Sequence, residues 1–75
     1  MQMELYPNPV DDQLYIIGTN IQKYVILNAL GQAIESVETN NQTFQSINMK
    51  HYEPAIYIIM LYTPDGIVTK RIVKR

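Results

Sequence analysis

The chain has 75 residues, of which 47% are hydrophobic and 17% are charged, and its formal net charge is −1. A chain of this length forms one domain and buries about 60 to 65% of its unfolded surface, and this composition is too apolar for a disordered segment. The near-neutral charge argues against a general nucleic-acid binder, and the absence of cysteine excludes disulfides and thiolate metal sites. No run is long and apolar enough for a membrane span, and the first ten residues do not resemble an export signal. We therefore expect residues 1–75 to be a single domain without a membrane span.

The segments between turns are rich in Ile, Val, Tyr and Thr, which suit a pleated, half-buried surface. They predict seven short strands, at residues 3–6, 13–18, 22–29, 32–39, 43–49, 55–63 and 66–75. Helical spacing of apolar residues is not sustained anywhere over a helix-length window. Turn signals at regular intervals therefore predict an all-β sandwich.

The first of these strands runs into a rigid segment, Tyr6-Pro7-Asn8-Pro9. Two prolines remove two backbone donors and fix φ near −65°, so this segment cannot lie inside an ordinary strand or helix.

Three later turns separate the predicted strands. In the segment Thr63-Pro64-Asp65-Gly66, proline and glycine predict a hairpin between residues 55–63 and 66–74. Gly31 provides a residue that tolerates positive φ between the strands at 22–29 and 32–39. Asn40 and Asn41 predict one more turn.

Alternation along the strands predicts which side chains form the core. The inner set is Leu14, Ile16, Tyr24, Ile26, Ile34, Ile47, Met49, Tyr57, Ile59, Leu61 and Ile67, with Ile72 joining if a bulge resets the last strand. The opposite set is unusually apolar and comprises Tyr15, Ile17, Val25, Leu27, Ile56, Ile58 and Met60. A solvated face normally alternates with polar residues, so this excess predicts contact with a partner or a second copy through strand 55–63.

Few residues could support catalysis or bind a metal. His51 is the sole histidine, so zinc or nucleophile chemistry lacks partners, and we expect it to lie in a loop. Asp11 and Asp12, with Asn8 and Asp65, could offer oxygen ligands to calcium, but their spacing favours turn caps. The sequence predicts no catalytic residue, metal or cofactor, and therefore no enzyme.

Charge is segregated toward the end of the chain. Lys70, Arg71, Lys74 and Arg75 are four of the six basic residues, whereas six of the seven acids lie within the first 53 positions. Two interpretations stay open from composition: a partner reads these basic residues, or they protect an edge strand from unwanted pairing.

The motifs, taken in order, resemble the C-terminal sorting domain of the type IX (Por) secretion system of Bacteroidetes. The segment YPNPVDDQLYI corresponds to the opening motif through Tyr6, Pro7, Asn8 and Pro9. The segment VILNALGQAI corresponds to the middle turn through Asn28 and Gly31, and Tyr57 to the tyrosine of a Gly-x-Tyr strand. Lys70, Arg71, Ile72, Val73 and Lys74 correspond to the closing strand. One departure is Ala55, where the family usually has glycine, and alanine is tolerated there only if φ is negative.

The resemblance implies an immunoglobulin-like sandwich at the C-terminus of a larger secreted protein, acting as an address and not as a catalyst. Its partners would be the translocon and a sortase, and its route would run through the periplasm to the cell surface or the medium. The closing strand, from Lys70 to Arg75, would carry much of the recognition. The rigid opening segment would mark where the fold begins and leave the preceding chain open to the sortase.

Two other functions remain as alternatives. A generic immunoglobulin-like or fibronectin-like module could space or adhere without any role in export, because such folds host many functions. A small enzyme or carbohydrate-binding domain is the third alternative, but acid–base pairs are absent and the seven aromatic residues are mostly needed for packing.

Overall fold

A computed structural model describes residues 3–75. Its five strands are β1 (Glu4–Tyr6), β2 (Gln13–Leu27), β3 (Ala33–Asn48), β4 (Ala55–Thr63) and β5 (Gly66–Lys74). Over this part of the chain, no helix is long and apolar enough to cross a membrane. The all-β prediction is confirmed.

The strands form one antiparallel sheet that curls into two packed layers. β2 pairs with β1 over its first residues, with β4 over its last residues, and with β3 along most of its length. We call β1 with residues 13–17 and 44–48 the small half-sheet. Residues 23–27 and 33–38 with β4 and β5 form the large half-sheet, in which β5 pairs only with β4 among the named strands. The result is an immunoglobulin-like sandwich whose layers share two long, bent strands.

The prediction of seven strands is wrong, because the breaks expected between residues 18 and 22 and between residues 39 and 43 are bends within continuous strands. Asn20 at φ 53°, with Asn40 at φ 53° and Asn41 at φ 62°, turns the backbone without ending the pairing of β2 with β3. Asparagine reaches this left-handed region at lower cost than most residues. The Thr39 hydroxyl donates a hydrogen bond to the Ile21 carbonyl and so ties the two bends together. Four predicted segments thus merge into β2 and β3.

Side chains from both half-sheets meet in one hydrophobic core. It contains ten of the predicted inner residues: Leu14, Ile16, Tyr24, Ile26, Ile47, Met49, Tyr57, Ile59, Leu61 and Ile72. Val10 and Ile21 are also fully buried, although neither belongs to a periodic apolar pattern. Burial of these side chains, each worth about 1.5 to 3 kcal/mol, is the main source of stability.

Two predicted core residues lie outside it. Ile34 is 48% exposed at the start of β3, and Ile67 is 53% exposed at the start of β5. β4 and β5 pair without a bulge, so Ile72 faces Tyr57 and Val68 faces Leu61 on the inner side. Ile67 is an odd number of positions from Ile72, and side chains in a strand alternate between faces. It therefore points outward, and no register reset occurs.

The residues predicted for the opposite face lie on two separate outer faces. Tyr15 and Ile17 belong to the small half-sheet, where the ring of Tyr15 lies 5.5 Å from that of Tyr6 and 5.9 Å from that of Phe44. On the large half-sheet, the outward apolar residues are Val25, Leu27, Ile56, Ile58 and Met60. Val25 is nearly covered by its neighbours, and Ile56 is well exposed. The longest apolar strip therefore follows the outer side of β4.

The predicted hairpin between β4 and β5 is present. Thr63 pairs with Gly66, and the Thr63 hydroxyl donates to the Gly66 carbonyl at 2.9 Å and accepts from the Asp65 amide at 3.2 Å. Gly66 has φ 128°, a conformation that side-chain-bearing residues rarely adopt. The turn fixes the register that directs Ile72 inward.

Candidate functional site

The opening segment crosses from β1 to the outer edge of β5. The Val10 amide donates to the Val73 carbonyl at 2.8 Å, and the Arg75 amide donates to the Val10 carbonyl at 2.9 Å. Val10 thus forms a short parallel bridge with Lys74. Val10, which follows the second proline, therefore pairs with the end of β5, the last strand of the chain.

Asn8 extends this pairing by one step with its side chain. Its Nδ2 donates to the Arg71 carbonyl at 3.1 Å, and its Oδ1 accepts from the Val73 amide at 2.9 Å. A primary amide offers one donor and one acceptor side by side, as a strand residue does. Pro7 and Pro9 have no N–H of their own to satisfy at this edge. We give the name edge clamp to these hydrogen bonds, which join the Asn8 side chain and the Val10 main chain to residues 71–75.

The four basic residues of the closing segment differ in environment. Arg75 forms a bidentate ion pair with Asp11, with Nη2 3.0 Å from Oδ2 and Nε 3.2 Å from Oδ1. Lys74 is only 8% exposed, and its ammonium donates to the main-chain oxygen of Arg75 at 2.7 Å. Lys70 and Arg71 are exposed and, within residues 3–75, have no carboxylate at ion-pair distance. The charge available to a partner is therefore concentrated at Lys70 and Arg71.

The two apolar residues of the same segment have opposite orientations. Ile72 is fully buried in the core, whereas Val73 is partly exposed on the outer face of the large half-sheet. Ile72 thus stabilises the fold, and Val73 is the one whose side chain a partner can reach.

A groove separates β1 from β5 at the open side of the sandwich. It has a volume of about 380 Å³ and is lined by Met3, Glu4, Leu5, Tyr6, Asn8, Lys70 and Arg71. Residues of the opening motif thus meet the exposed basic residues of the closing strand, although more than 60 positions separate them in sequence. We call this feature the edge groove.

Asn28 organises the middle turn with both its main chain and its side chain. Its Oδ1 accepts from the amides of Leu30 and Gln32, each at 3.0 Å, and its Nδ2 donates to Gln32 Oε1 at 2.8 Å. The Asn28 carbonyl also accepts from the Gly31 amide at 3.0 Å, and Gly31 has φ 85°. Asn28 and Gly31 therefore shape the turn from β2 to β3, and they lie outside the edge groove.

The Tyr57 side chain, like Asn28 and Gly31, contributes to the structure of the domain. Its ring is buried 5.3 Å from that of Tyr52, and its hydroxyl donates to the Glu53 carbonyl at 2.7 Å. The Tyr52 hydroxyl in turn hydrogen-bonds Glu35, and burial together with this carboxylate raises the Tyr52 pKa above its ordinary value. The hydrogen bonds of the Tyr52 and Tyr57 hydroxyls hold the loop before β4 against the sheet.

The departure at Ala55 is compatible with this local geometry. Ala55 begins β4, pairs with Lys74, and is not among the residues with positive φ in the described chain. The condition for tolerating alanine at this position is therefore met.

Asn8 and Asp11, two of the residues considered for metal binding, have side chains that are bonded to residues 71–75. The Asp11 carboxylate accepts both hydrogen bonds from Arg75, and the Asp12 carbonyl accepts from the Met49 amide at 2.7 Å. No group of three or more His, Cys, Asp or Glu side chains suited to a metal occurs among residues 3–75. His51 is exposed in the loop between β3 and β4, as predicted.

The strand order, the shared core and the edge clamp define a small immunoglobulin-like domain whose beginning and end are joined. The family model described as "Secretion system C-terminal sorting domain" matches residues 4–75, and the chain belongs to this family. Such domains are C-terminal sorting signals of the type IX secretion system. The chain therefore directs export to the cell surface or the medium as part of a larger protein, and it interacts with the secretion machinery.

A solved structure is similar over nearly the whole chain. It is described as that of PorZ, an essential bacterial surface component of the type IX secretion system of Porphyromonas gingivalis, with a TM-score of 0.78 and 19% identity. The alignment covers 97% of this chain and 11% of that chain, and at this identity it establishes the fold alone. A comparison with curated proteins gave no match.

Proposed function

We propose that this domain is read in its folded state by the type IX translocon, after its parent protein has reached the periplasm. A sortase then separates the domain from its cargo, which is attached to the cell surface or released. The domain itself is substrate and signal and performs no catalysis. The family match over residues 4–75 supports this route.

The observation that carries the proposal is the edge clamp. Asn8 and Val10 hold residues 71–75 of the closing segment, so the opening and closing motifs occupy one side of the sandwich. That side also presents Lys70 and Arg71, which are free to meet negative charge on a partner. A translocon component that binds this side contacts residues from both ends of the domain. Because these residues are adjacent only in the folded state, such binding depends on folding.

The proposed boundary for the sortase follows from the position of β1. Glu4, Leu5 and Tyr6 pair with Ile17, Ile16 and Tyr15, so the ordered sheet begins before the opening prolines. Two residues of this strand, Glu4 and Leu5, precede the opening segment, so the sheet starts upstream of the point that this segment was expected to mark. Proteases cleave exposed, unpaired chain in preference to paired strands. The cleavable segment accordingly lies upstream of β1.

The test is export of a fusion in a strain with a working type IX system. A periplasm-targeted fluorescent protein followed by residues 4–75 is expected on the surface or in the medium, and it should stay in the periplasm of an otherwise identical strain without the translocon. Deleting residues 70–75 is a poor control, because it also removes the buried Ile72 and the partners of Asn8. An intact, folded fusion retained in both strains would favour a spacer or adhesion module.

We further propose that the apolar strip on β4 contacts a second copy of the domain. Ile56 is exposed, and Ile58 and Met60 are half-buried on the same outer face, which supports an apolar contact. Ile58→Glu is expected to shift the protein from dimer to monomer in light scattering at high concentration. Glu38→Gln, on β3 at the far side of β2, serves as the control. A wild-type chain that stays monomeric at every concentration would refute the contact.

A further inference from the structure

We propose that the edge groove binds an extended, acidic peptide segment of the secretion machinery, which adds to the free edge of β1 or β5 as a further strand. This inference rests on the proposed function, because it assigns the place and the chemistry of recognition to one site. It concerns the groove lined by β1, Asn8, Lys70 and Arg71.

Unpaired main-chain groups are available on both walls of the groove. β1 pairs with β2 on one side only, so about half of its amides and carbonyls point toward the groove side. On β5, Arg71 and Val73 direct groups away from β4 toward the edge clamp. The same alternation turns the main-chain groups of Thr69 outward, beyond the reach of Asn8. Both walls therefore carry unpaired main-chain groups, β1 along its outer edge and β5 at Thr69 and the Arg71 amide.

The edge clamp limits where a partner strand can pair with β5. The Arg71 and Val73 carbonyls and the Val73 and Arg75 amides are already bonded to Asn8 or Val10. The stretch after Arg71 is thus closed to strand addition. On β5, unpaired main-chain groups and exposed positive side chains therefore occur together only at residues 69–71, where the groove begins.

The charges favour an acidic occupant. Lys70 and Arg71 line the groove against one acid, Glu4, so its local charge is positive although the whole chain is slightly negative. Arg71 can engage a carboxylate with two parallel hydrogen bonds. The long free edge of β3 instead carries Glu35 and Glu38, and it would repel the same peptide. Charge therefore selects the edge groove over the other unpaired edge.

The groove also offers apolar contacts of peptide size. Leu5 and Met3 are half-buried beside it and pack against the core, and Tyr6 stands partly exposed at its rim. Its volume of about 380 Å³ lies at the lower end of the range for ligand sites. A few residues with alternating acidic and apolar side chains would fit, because an added strand presents them to opposite sides.

The direct test is a titration of the isotope-labelled 75-residue chain with a short synthetic peptide in which Glu alternates with Val and Thr. Saturable shifts are expected at the amides of Glu4, Leu5, Tyr6, Lys70 and Arg71, and they should weaken as salt is added. A peptide of the same sequence with N-methylated amides, which cannot pair as a strand, should lose the binding. So should a version with Lys in place of Glu.

A matched pair of variants separates local charge from total charge. Lys70→Glu/Arg71→Glu is expected to weaken peptide binding about tenfold or more, whereas Lys23→Glu/Lys50→Glu changes the net charge equally and should leave it nearly unchanged. Lys70→Gln/Arg71→Gln gives a milder form of the first variant if the reversal alters folding. Equal loss in both reversals, or shifts confined to β3, would overturn the inference.

The export assay distinguishes a failure of the proposed groove from a failure of the proposed function. If the wild-type fusion is exported but Lys70→Glu/Arg71→Glu is exported equally well, the groove is not the recognition site, and the proposed function stands. If the wild-type fusion is retained, the proposed function fails, and the peptide titration still decides whether the groove binds acidic strands.

Discussion

Ile72→Ala should lower the free energy of unfolding by about 2 to 5 kcal/mol, because it leaves a cavity at a fully buried site. Ile72 of β5 is paired with Tyr57 of β4 and belongs to the core cluster that joins both half-sheets. A domain of this size has a modest total stability, so a loss of this magnitude would leave much of it unfolded at elevated temperature. Urea unfolding followed by circular dichroism measures the change.

Ile67→Ala provides the matched control for that substitution. It removes the same atoms from the same strand, but at a position that is 53% exposed and paired with Tyr62 on the outer face. Its cost should stay below about 1 kcal/mol. Similar losses for the two variants would contradict a register of β5 in which Ile72 points inward and Ile67 outward.

Asn8→Ala should cost about 1 to 3 kcal/mol, since it removes both side-chain hydrogen bonds of the edge clamp. Asn8→Asp keeps the acceptor for the Val73 amide but turns a carboxylate oxygen toward the Arg71 carbonyl. We therefore expect it to be no better than alanine unless the pH is low enough to protonate the new carboxyl. The measurement is equilibrium unfolding, with hydrogen exchange at the Val73 amide as the local readout.

Gln42→Ala is a suitable comparison for Asn8→Ala. It also removes one exposed amide side chain, but the Gln42 side chain makes no hydrogen bond among residues 3–75. It should change stability by a few tenths of a kcal/mol and leave exchange at Val73 unaltered. Fast exchange at Val73 in the wild-type protein would contradict the edge clamp itself.

Much of the fold was predictable because its signals are local. Alternation placed Leu14, Ile16, Ile59 and Leu61 inside, and the proline and glycine of the last turn fixed the hairpin. The prediction was wrong where the same residue type occurs both in turns and in bends of paired strands. Asn20, Asn40 and Asn41 resemble turn residues, but here they bend paired strands, and nothing local to an asparagine distinguishes these two uses.

The core residue Val10 and the edge clamp could not be predicted from local patterns. Val10 follows a proline and has no alternating neighbours, and its burial depends on the bridge to Lys74. The partners of Asn8 lie 63 and 65 positions away. The family resemblance singled out Asn8 and the closing strand, but only the three-dimensional arrangement shows that they contact each other. It likewise separates Ile72 and Lys74, which are buried, from Lys70 and Arg71, which are exposed.

The distance in sequence between Asn8 and its partners has a consequence for synthesis. Residues 4–63 can begin to pair as they leave the ribosome, but the contacts of Asn8 and Val10 cannot form until residues 71–75 have been made. A chain terminated early lacks both the bonded edge and the buried Ile72. The edge clamp can therefore form only in a chain that contains residues 71–75.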